Sequence, residues 1–168
     1  LNISETKKLH YVFVESLSNP KTDPLLVWFN GGPGCSSLFG FMQEHGPFKI
    51  DDGKTEVEVN RWPWNLNASV LYLESPAGVG FSTVTDYKEL FYSDTSVARD
   101  AMKAVRIWYE EFPEFGWNKQ NNPLYITGES YGGLYVPYLS WQIYLNNLKA
   151  DVPQTGLAKY NLKGFIVA

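Results

Sequence analysis

The sequence predicts an α/β fold with a mostly parallel sheet and helices on both faces. Strongly apolar runs at Leu25–Phe29, Val70–Leu73 and Leu124–Ile126 are typical of buried strands. Longer segments with apolar residues at helical spacing follow the second and third runs. Strands that alternate with amphipathic helices indicate parallel pairing, with the helices packed on the sheet.

The chain enters this sheet through an apolar run, Leu9–Leu17, and a turn at Asn19–Pro24. We expect this first run to join the sheet in the antiparallel direction. Further along, the turn Asp51–Lys54 predicts a hairpin between residues 48–50 and 57–59.

Two helices are predicted from apolar spacing and capping residues. Ser93 or Asp94 can cap the first helix, and Pro113 ends it. The apolar residues that define it are Val97, Ala101, Val105, Trp108 and Phe112. The second helix is indicated by a stripe at Leu134, Tyr138, Trp141, Leu145 and Leu148. A polar loop at residues 151–161 then leads to a buried strand that begins at Gly164.

Ser130 lies between the third buried run and the second helix, within the sequence Gly-Glu-Ser-Tyr-Gly at residues 128–132. This is a G-x-S-x-G pattern, in which small residues allow a sharp strand-to-helix turn that exposes the serine hydroxyl. The pattern therefore predicts a nucleophile elbow, with a plain glycine-rich loop as the alternative.

Three loops follow the carboxyl ends of the predicted parallel strands, at residues 30–37, 74–82 and 129–133. Ligands of such sheets bind at these strand ends, so we expect the loops to converge. The first loop contains three glycines and a proline that cannot continue a strand. Its exposed N–H groups could hold an oxyanion, or the segment could be an ordinary tight loop.

Composition excludes several functional classes. The 168 residues carry 14 basic and 18 acidic side chains, a formal net charge of −4, without a block of Lys or Arg that would follow a nucleic acid. No apolar stretch is long enough for a membrane span. The first residues lack a basic-then-apolar leader, so we expect any targeting peptide to have been removed. The length suits one domain or part of one.

Three motifs together resemble the serine carboxypeptidases of the α/β-hydrolase fold. They are Asn-Gly-Gly-Pro-Gly-Cys-Ser-Ser at 30–37, Glu-Ser-Pro-Ala-Gly-Val-Gly-Phe-Ser at 74–82 and Gly-Glu-Ser-Tyr-Gly-Gly at 128–133. The resemblance covers essentially the whole chain, but a family member is more than twice as long. Residues 1–168 are therefore expected to be the N-terminal part of an α/β-hydrolase serine carboxypeptidase domain, without the cap region and the C-terminal part.

The resemblance implies a role for several residues of this chain. Ser130 is expected to be the acyl-forming nucleophile, and the N–H groups of Gly32 and Tyr131 to form the oxyanion hole. We expect no cofactor and no metal. The substrate would be a peptide with a free C-terminus.

The resemblance further implies that Asn30, the N–H of Gly31, Glu44 and Glu129 hold the terminal carboxylate of that peptide. Carboxyl groups can hold a carboxylate only if they share a proton with it, so acid pH should favour peptide binding. The alternatives are that Glu129 is a buried acid that braces the elbow and that Glu44 is an acid on a helix surface.

Cys35 is the only cysteine. A lone cysteine is most often a small buried hydrophobic residue, whereas the family joins this one in a disulfide to a cysteine much later in the chain. That pairing implies the secretory pathway, with a lysosomal or vacuolar lumen or secretion as the destination. Two N-x-S/T sequences are present, and we expect Asn2 to be the better glycosylation candidate and Asn67 to be inaccessible.

The chain lacks an obvious base for Ser130. The triad of this fold follows the order Ser, Asp, His, yet His10 and His45 both precede Ser130, and Asp151 is the only later aspartate. A second chain or a missing C-terminal segment should supply the aspartate and the histidine. The chain could be a processed subunit, a fragment or a truncated product. Two other functions stay open: an inert binding protein, and an acyltransferase that uses the same nucleophile.

Overall fold

The computed structural model describes residues 1–51, 53–115, 122–152 and 155–168. The strands are β1 Lys7–Lys8, β2 Tyr11–Val14, β3 Leu25–Phe29, β4 Phe48–Lys49, β5 Glu58–Val59, β6 Ser69–Leu73, β7 Thr83–Val84, β8 Leu124–Gly128 and β9 Leu162–Val167. The helices are α1 Asp94–Glu111 and α2 Gly132–Ala150. A π-helical turn spans Gly40–Glu44, and 3₁₀ turns span Trp64–Leu66, Tyr87–Leu90 and Pro113–Phe115.

The main sheet has five strands in the order β2-β6-β3-β8-β9. Its four strands from β6 to β9 are parallel, and β2 pairs antiparallel with β6. The mostly parallel α/β class is therefore confirmed, as is the antiparallel entry strand. This entry strand does not pair with β3, the next strand in the chain, because β6 lies between them.

Alternate residues of each central strand face the two sides of the sheet. On one side, Val27, Leu71 and Ile126 belong to the main core, which α1 and α2 cover. On the other side, Val70 and Tyr72 of β6 form a smaller core with Trp28 of β3. Phe41 of the π-helical turn packs against this core. Long helices thus cover one face, and a short turn carrying aromatic side chains covers the other.

Helix α1 follows its sequence pattern closely. The Ser93 hydroxyl accepts the Ser96 N–H and the Ser96 hydroxyl accepts the Ser93 N–H, a reciprocal cap that fixes the first turn. The buried residues include Val97, Ala101, Val105 and Trp108, as predicted. Phe112 is only partly buried and caps the end of the helix, just before Pro113.

Helix α2 is confirmed, but its predicted apolar stripe is largely on the outside. Leu134, Tyr138, Trp141 and Leu148 are each more than one-third exposed. The face that packs against the sheet carries instead Gly132, Tyr135, Val136, Leu139, Ser140 and Ile143. Helix α2 is apolar around most of its circumference, so spacing alone did not identify the buried face.

The predicted hairpin is confirmed as the antiparallel pair β4 and β5, although Asp52 of its turn lies outside the described residues. The strand predicted after the polar loop is present as β9, but it begins at Leu162 and is not buried: it forms the outer edge of the main sheet, and its Phe165, Ile166 and Val167 are about half exposed. The described part of the loop at 151–161 contains neither a helix nor a strand, and residues 153–154 lie outside the description. No helix in the described ranges is long and apolar enough to cross a membrane.

Candidate active site

The predicted convergence of the three loops is confirmed by the strand order. Strands β6, β3 and β8 are parallel neighbours, so their carboxyl ends lie at one edge of the sheet. The Ser37 hydroxyl donates to the carbonyl of Leu73 at 2.7 Å and thereby ties the first loop to the end of β6. The N–H of Glu129 donates to the carbonyl of Phe29 at 3.2 Å and ties the elbow to the end of β3.

Ser130 has the backbone conformation of a nucleophile elbow. Its φ of 53° lies in the left-handed region, which a residue with a side chain adopts only where the surrounding structure enforces it. A Cβ at Gly128 would lie 2.7 Å from the Phe29 carbonyl oxygen, and one at Gly132 would lie 3.1 Å from the same atom. Glycine is therefore required at position 128 and leaves a close fit at position 132, because the elbow packs directly on β3. The Ser130 side chain is exposed.

Gly31 makes the tightest contact between the glycine loop and the elbow. A Cβ at this position would lie 2.4 Å from the Tyr131 nitrogen and 2.9 Å from both the Glu129 carbonyl oxygen and the Ser130 Cβ. Any side chain here would push into the backbone that carries the nucleophile. Glycine is therefore required for close approach of the two loops.

Gly32 and Tyr131 carry the two N–H groups that the sequence predicts for an oxyanion hole. Gly32 has φ of 111°, which turns the loop away from the β3 direction, and it is exposed. Within the part of the chain that the structure describes, neither the Gly32 N–H nor the Tyr131 N–H donates a hydrogen bond to protein. Tyr131 also precedes the first residue of α2, so the helix dipole adds positive potential at this point.

The Asn30 side-chain amide is oriented by its buried partners. Its Oδ1 accepts hydrogen bonds from Trp28 Nε1 and from the Gly40 N–H, each at 2.9 Å. Because both partners are donors, the amide nitrogen must face the opposite way. Nδ2 accordingly donates to Glu129 Oε1 at 2.9 Å and to Glu44 Oε1 at 3.4 Å. The structure thus brings together the three predicted side chains of the carboxylate site.

Two carboxyl groups beside one amide give the site an unusual protonation balance. Burial raises the pKa of Glu44, the charge of Glu129 raises it further, and the Asn30 hydrogen bond offsets part of the effect. Glu44 therefore keeps its proton to a higher pH than an ordinary glutamate. A protonated carboxyl at this position can donate to an incoming carboxylate.

A cavity of about 440 Å³ joins these groups. Its lining residues are Asn30, Gly31, Gly32, Cys35, Ser36, Phe39, Glu129 and Ser130. Ser130 therefore borders the same space as Asn30 and Glu129, whereas Glu44 is not among the lining residues. The space is large enough for the end of a peptide. Phe39, half exposed, provides its aromatic wall.

A buried acid, Glu74, hydrogen-bonds to two of the loops that form the site, and the sequence alone did not single it out. Glu74 is fully buried and accepts hydrogen bonds from the Ser36 hydroxyl, from Phe81 N–H at 2.8 Å and from His10 Nδ1 at 2.9 Å. A Cβ at Gly80 would overlap its carboxylate. Glu74 thus holds the first two loops together. A charged residue directly after a buried strand was the available signal.

Both histidines are engaged away from the nucleophile. His10 is hydrogen-bonded to Glu74, and His45 Nδ1 lies 3.0 Å from the Tyr72 hydroxyl oxygen. Neither ring is hydrogen-bonded to the Ser130 hydroxyl in the described part of the chain. The prediction that neither serves as the base therefore agrees with their partners.

The remaining predicted sites lie on the surface. Cys35 is a free, exposed thiol at the mouth of the cavity, which corrects the expectation that composition gives of a buried residue. Asn2 is exposed, although its backbone forms an isolated bridge with Lys8. Asn67 is exposed too, so the expectation that it is inaccessible is wrong: its side chain points outward where the 3₁₀ turn ends before β6.

Comparison with known proteins agrees with this geometry. The family model described as serine carboxypeptidase matches residues 1–168. The chain is 45% identical over 163 residues to the mouse lysosomal protective protein, and the match covers 95% of this chain and 33% of that protein. It is 39% identical over 166 residues to serine carboxypeptidase-like 20 of Arabidopsis thaliana, covering 96% of this chain and 32% of the relative.

Among solved structures, the chain is similar to the Saccharomyces cerevisiae KEX1ΔP protein, described as a prohormone-processing carboxypeptidase. The TM-score is 0.73 at 28% sequence identity, and the match covers 97% of this chain and 34% of that one. The chain thus spans about a third of the length of the curated relatives it matches.

Proposed function

Because the chain belongs to the serine carboxypeptidase family, we propose that it supplies the nucleophile, the oxyanion hole and the terminal-carboxylate site of an enzyme that releases C-terminal residues from peptides. The observation that carries this proposal is the Asn30 amide. It is fixed by Trp28 and Gly40 and directed at Glu129 and Glu44, next to the nucleophile. A serine hydrolase that cleaves internal peptide bonds or uncharged esters has no terminal carboxylate to bind, and therefore has no need for such a site.

In the acylation step, the Ser130 oxygen attacks the carbonyl carbon of the last peptide bond while its proton passes to a base. The negative charge that develops on the carbonyl oxygen is stabilised by the N–H groups of Gly32 and Tyr131, which have no other partner among the described residues. The C–N bond then breaks and the terminal amino acid leaves with the proton. Water hydrolyses the acyl-enzyme and regenerates Ser130.

The terminal carboxylate of the peptide would accept hydrogen bonds from Asn30 Nδ2, from the Gly31 N–H and from protonated Glu44. The raised pKa of Glu44 favours this protonated state. These contacts position the last peptide bond at Ser130 and exclude peptides with a blocked end. Peptide binding should therefore be strongest at acid pH.

The acid and the base of the triad would come from another polypeptide segment. His10 and His45 are held by Glu74 and Tyr72, and Asp151 is ion-paired with Lys159 at 2.6 Å. We call the assembly of this chain with the segment that carries the aspartate and the histidine the complete enzyme. The isolated chain should be inert towards peptides. The exposed Cys35 thiol is available for a disulfide with that segment.

A compartment of the secretory pathway fits this chemistry. The similarity to a lysosomal protective protein favours an acidic lumen, where Glu44 would be protonated. A disulfide at Cys35 would also need an oxidising compartment during folding.

The proposal is tested by labelling the complete enzyme with a fluorophosphonate and by assaying it on paired peptides with free and amidated C-termini. Wild type should label at Ser130 and release residues from the free-ended peptide. Ser130→Ala should not label, and turnover should fall by about a millionfold if Ser130 acts within a triad. Equal labelling of the variant would exclude Ser130 as the nucleophile. Efficient acyl transfer to an alcohol, without peptide cleavage, would favour the acyltransferase instead.

The same assay on the purified chain tests the need for a second segment. Without a histidine base, only oxyanion-hole assistance should remain, about a thousandfold over the uncatalysed rate. Rapid peptide turnover by the chain alone, with no second polypeptide found by mass spectrometry, would contradict this part of the proposal.

A further inference from the structure

His45 is a buried histidine that the proposed mechanism does not use. Its residue surface is 7% exposed, and its ring is stacked on Trp64 with centroids 4.0 Å apart. The ring also meets Trp28 edge-on at 4.2 Å. Its backbone is fixed as well, since the His45 carbonyl accepts the Trp64 N–H at 2.9 Å. Aromatic packing therefore sets the orientation of the imidazole.

The two ring nitrogens of His45 have very different surroundings. Nδ1 lies 3.0 Å from the hydroxyl oxygen of Tyr72, within hydrogen-bonding distance. Nε2 is buried and has no hydrogen-bond partner among the described residues. It lies 3.7 Å from Glu44 Oε2, which is about 0.7 Å longer than an ordinary hydrogen bond. An unpaired buried nitrogen is costly, and catalytic contacts often shorten only when substrate binds.

The imidazole is neutral in the range where the enzyme would work. Burial lowers the pKa of His45 to about 4. Burial also raises the pKa of Tyr72, so its phenol keeps the proton. A Tyr72 hydroxyl that donates to Nδ1 requires the neutral tautomer with hydrogen on Nε2. That N–H then faces Glu44.

We propose that His45 is a positioning residue: its Nε2–H donates to Oε2 of Glu44 and so leaves the proton of the Glu44 carboxyl on Oε1. This inference rests on the proposed function and adds to it the residues that orient the acid. Oε1 is the oxygen beside Asn30 Nδ2, at a long 3.4 Å, so it can turn a proton towards an entering carboxylate. Tyr72 takes part by fixing the tautomer.

Among the described residues, Glu44 is the charged side chain that faces the His45 ring. Around the ring, the π-helical turn contributes Glu44 and β6 contributes Tyr72, whereas β3 and the 3₁₀ turn contribute the indoles of Trp28 and Trp64. Glu129 acts on Glu44 from the elbow side. Glu44 itself is one-quarter exposed in its side chain, which leaves it room to move towards Nε2.

The test compares His45→Phe and Tyr72→Phe with wild type in the complete enzyme. Phenylalanine at 45 keeps the aromatic stack but removes both nitrogens. We expect the peptide KM to rise about tenfold at acid pH, the equivalent of one hydrogen bond to a carboxyl group, with kcat within about twofold. An ester without a terminal carboxylate should be unaffected. Tyr72→Phe should raise the peptide KM in the same direction by a smaller factor.

A matched control uses Glu44→Ala, which removes the acceptor, so that His45→Phe should add nothing further to KM in this background. The inference would be overturned if His45→Phe and Tyr72→Phe had the same peptide KM as wild type. It would also be overturned if these variants lost activity equally on the peptide and the ester, because equal losses indicate damage to the fold. If wild type itself fails to cleave peptides, the proposed function has failed, and the tautomer decides the role of His45 separately.

That tautomer is measured by long-range ¹H–¹⁵N correlation on the full 168-residue chain, which contains only two histidines. His10→Asn assigns the remaining ring. Hydrogen on Nε2 at about pH 6 supports the inference. Hydrogen on Nδ1, or on both nitrogens, would overturn it whatever the kinetics show.

Discussion

Gly31 offers the most direct test of how closely the glycine loop and the elbow must approach. Gly31→Ala adds one Cβ where the neighbours are the Tyr131 nitrogen at 2.4 Å, the Glu129 carbonyl oxygen at 2.9 Å and the Ser130 Cβ at 2.9 Å. The first two are backbone atoms, and the elbow is itself held against β3 through Gly128 and Gly132. The strain cannot be relieved by turning a flexible side chain.

The size of the effect follows from the shortest of these distances. A contact of 2.4 Å is about 1 Å closer than the 3.4 Å at which ordinary contact to a Cβ begins. The Tyr131 N–H must therefore move by roughly that amount relative to the oxyanion. A misplacement of about 1 Å typically costs about a hundredfold in rate, and loss of one oxyanion donor costs about 10²–10³. We also expect a loss of about 1–3 kcal/mol in stability from overpacking.

The assay is kcat/KM for an ester that lacks a terminal carboxylate, measured in the complete enzyme. This substrate separates the elbow from the proposed role of the Gly31 N–H in carboxylate binding. Gly133→Ala is the matched control, because a Cβ there meets only Val167 Cγ1 at 3.9 Å and the backbone φ is not positive. It should keep activity within about threefold. Full esterase activity in a folded Gly31→Ala enzyme would refute the close-approach argument.

Two further predictions concern Glu44 and the core. The pKa of Glu44 is raised, so its proton is lost only as the pH climbs through that raised value, and the peptide KM of the complete enzyme should then rise. In Glu44→Gln, the peptide KM should depend less on pH between about pH 4 and 8. A flat wild-type profile would contradict this. Trp108→Ala, which empties a fully buried site, should destabilise the chain by about 3–5 kcal/mol in urea unfolding. The exposed Trp141→Ala, with 56% of its surface accessible, should cost about 0.5 kcal/mol or less, and equal losses would contradict the assigned core.

The parts of the fold that sequence predicts well are those fixed by local chemistry. Apolar runs bounded by Gly and Pro predict the central strands, and the capping residues Ser93 and Asp94 predict the start of α1, where the structure shows Ser93 as the cap. Parallel neighbouring strands then required their loops to meet at one edge, which the strand order confirms. The position of Ser130 at a strand-to-helix turn followed from the same reasoning, and its φ of 53° agrees with it. The catalytic role of Ser130 stays a prediction.

The buried face of α2 shows where such reasoning stops. Both faces of this helix carry apolar residues, so spacing identifies a helix without identifying its orientation. The orientation is set by a long-range contact, the packing of Gly128 and Gly132 on the Phe29 carbonyl. That contact turns Val136 and Leu139 towards the sheet and leaves Trp141 outside. The pairing of β2 with β6 is equally non-local, since its partners lie from 56 positions apart, at Val14 and Val70, to 62 apart, at Tyr11 and Leu73, and it has no signature in either segment.

The protonation of the carboxylate site is a third property that sequence could not resolve, because it depends on the placement of two acids around one amide. The resemblance named Glu44 and Glu129 without saying which of them holds the proton. Asn30 Nδ2 lies 2.9 Å from Glu129 Oε1 but 3.4 Å from Glu44 Oε1, so Glu44 receives only the longer of the two hydrogen bonds from the amide. Burial and the charge of Glu129 both raise the pKa of Glu44. We therefore propose that Glu44 holds the shared proton. Its other oxygen, Oε2, lies 3.7 Å from the buried Nε2 of His45, which has no hydrogen-bond partner among the described residues.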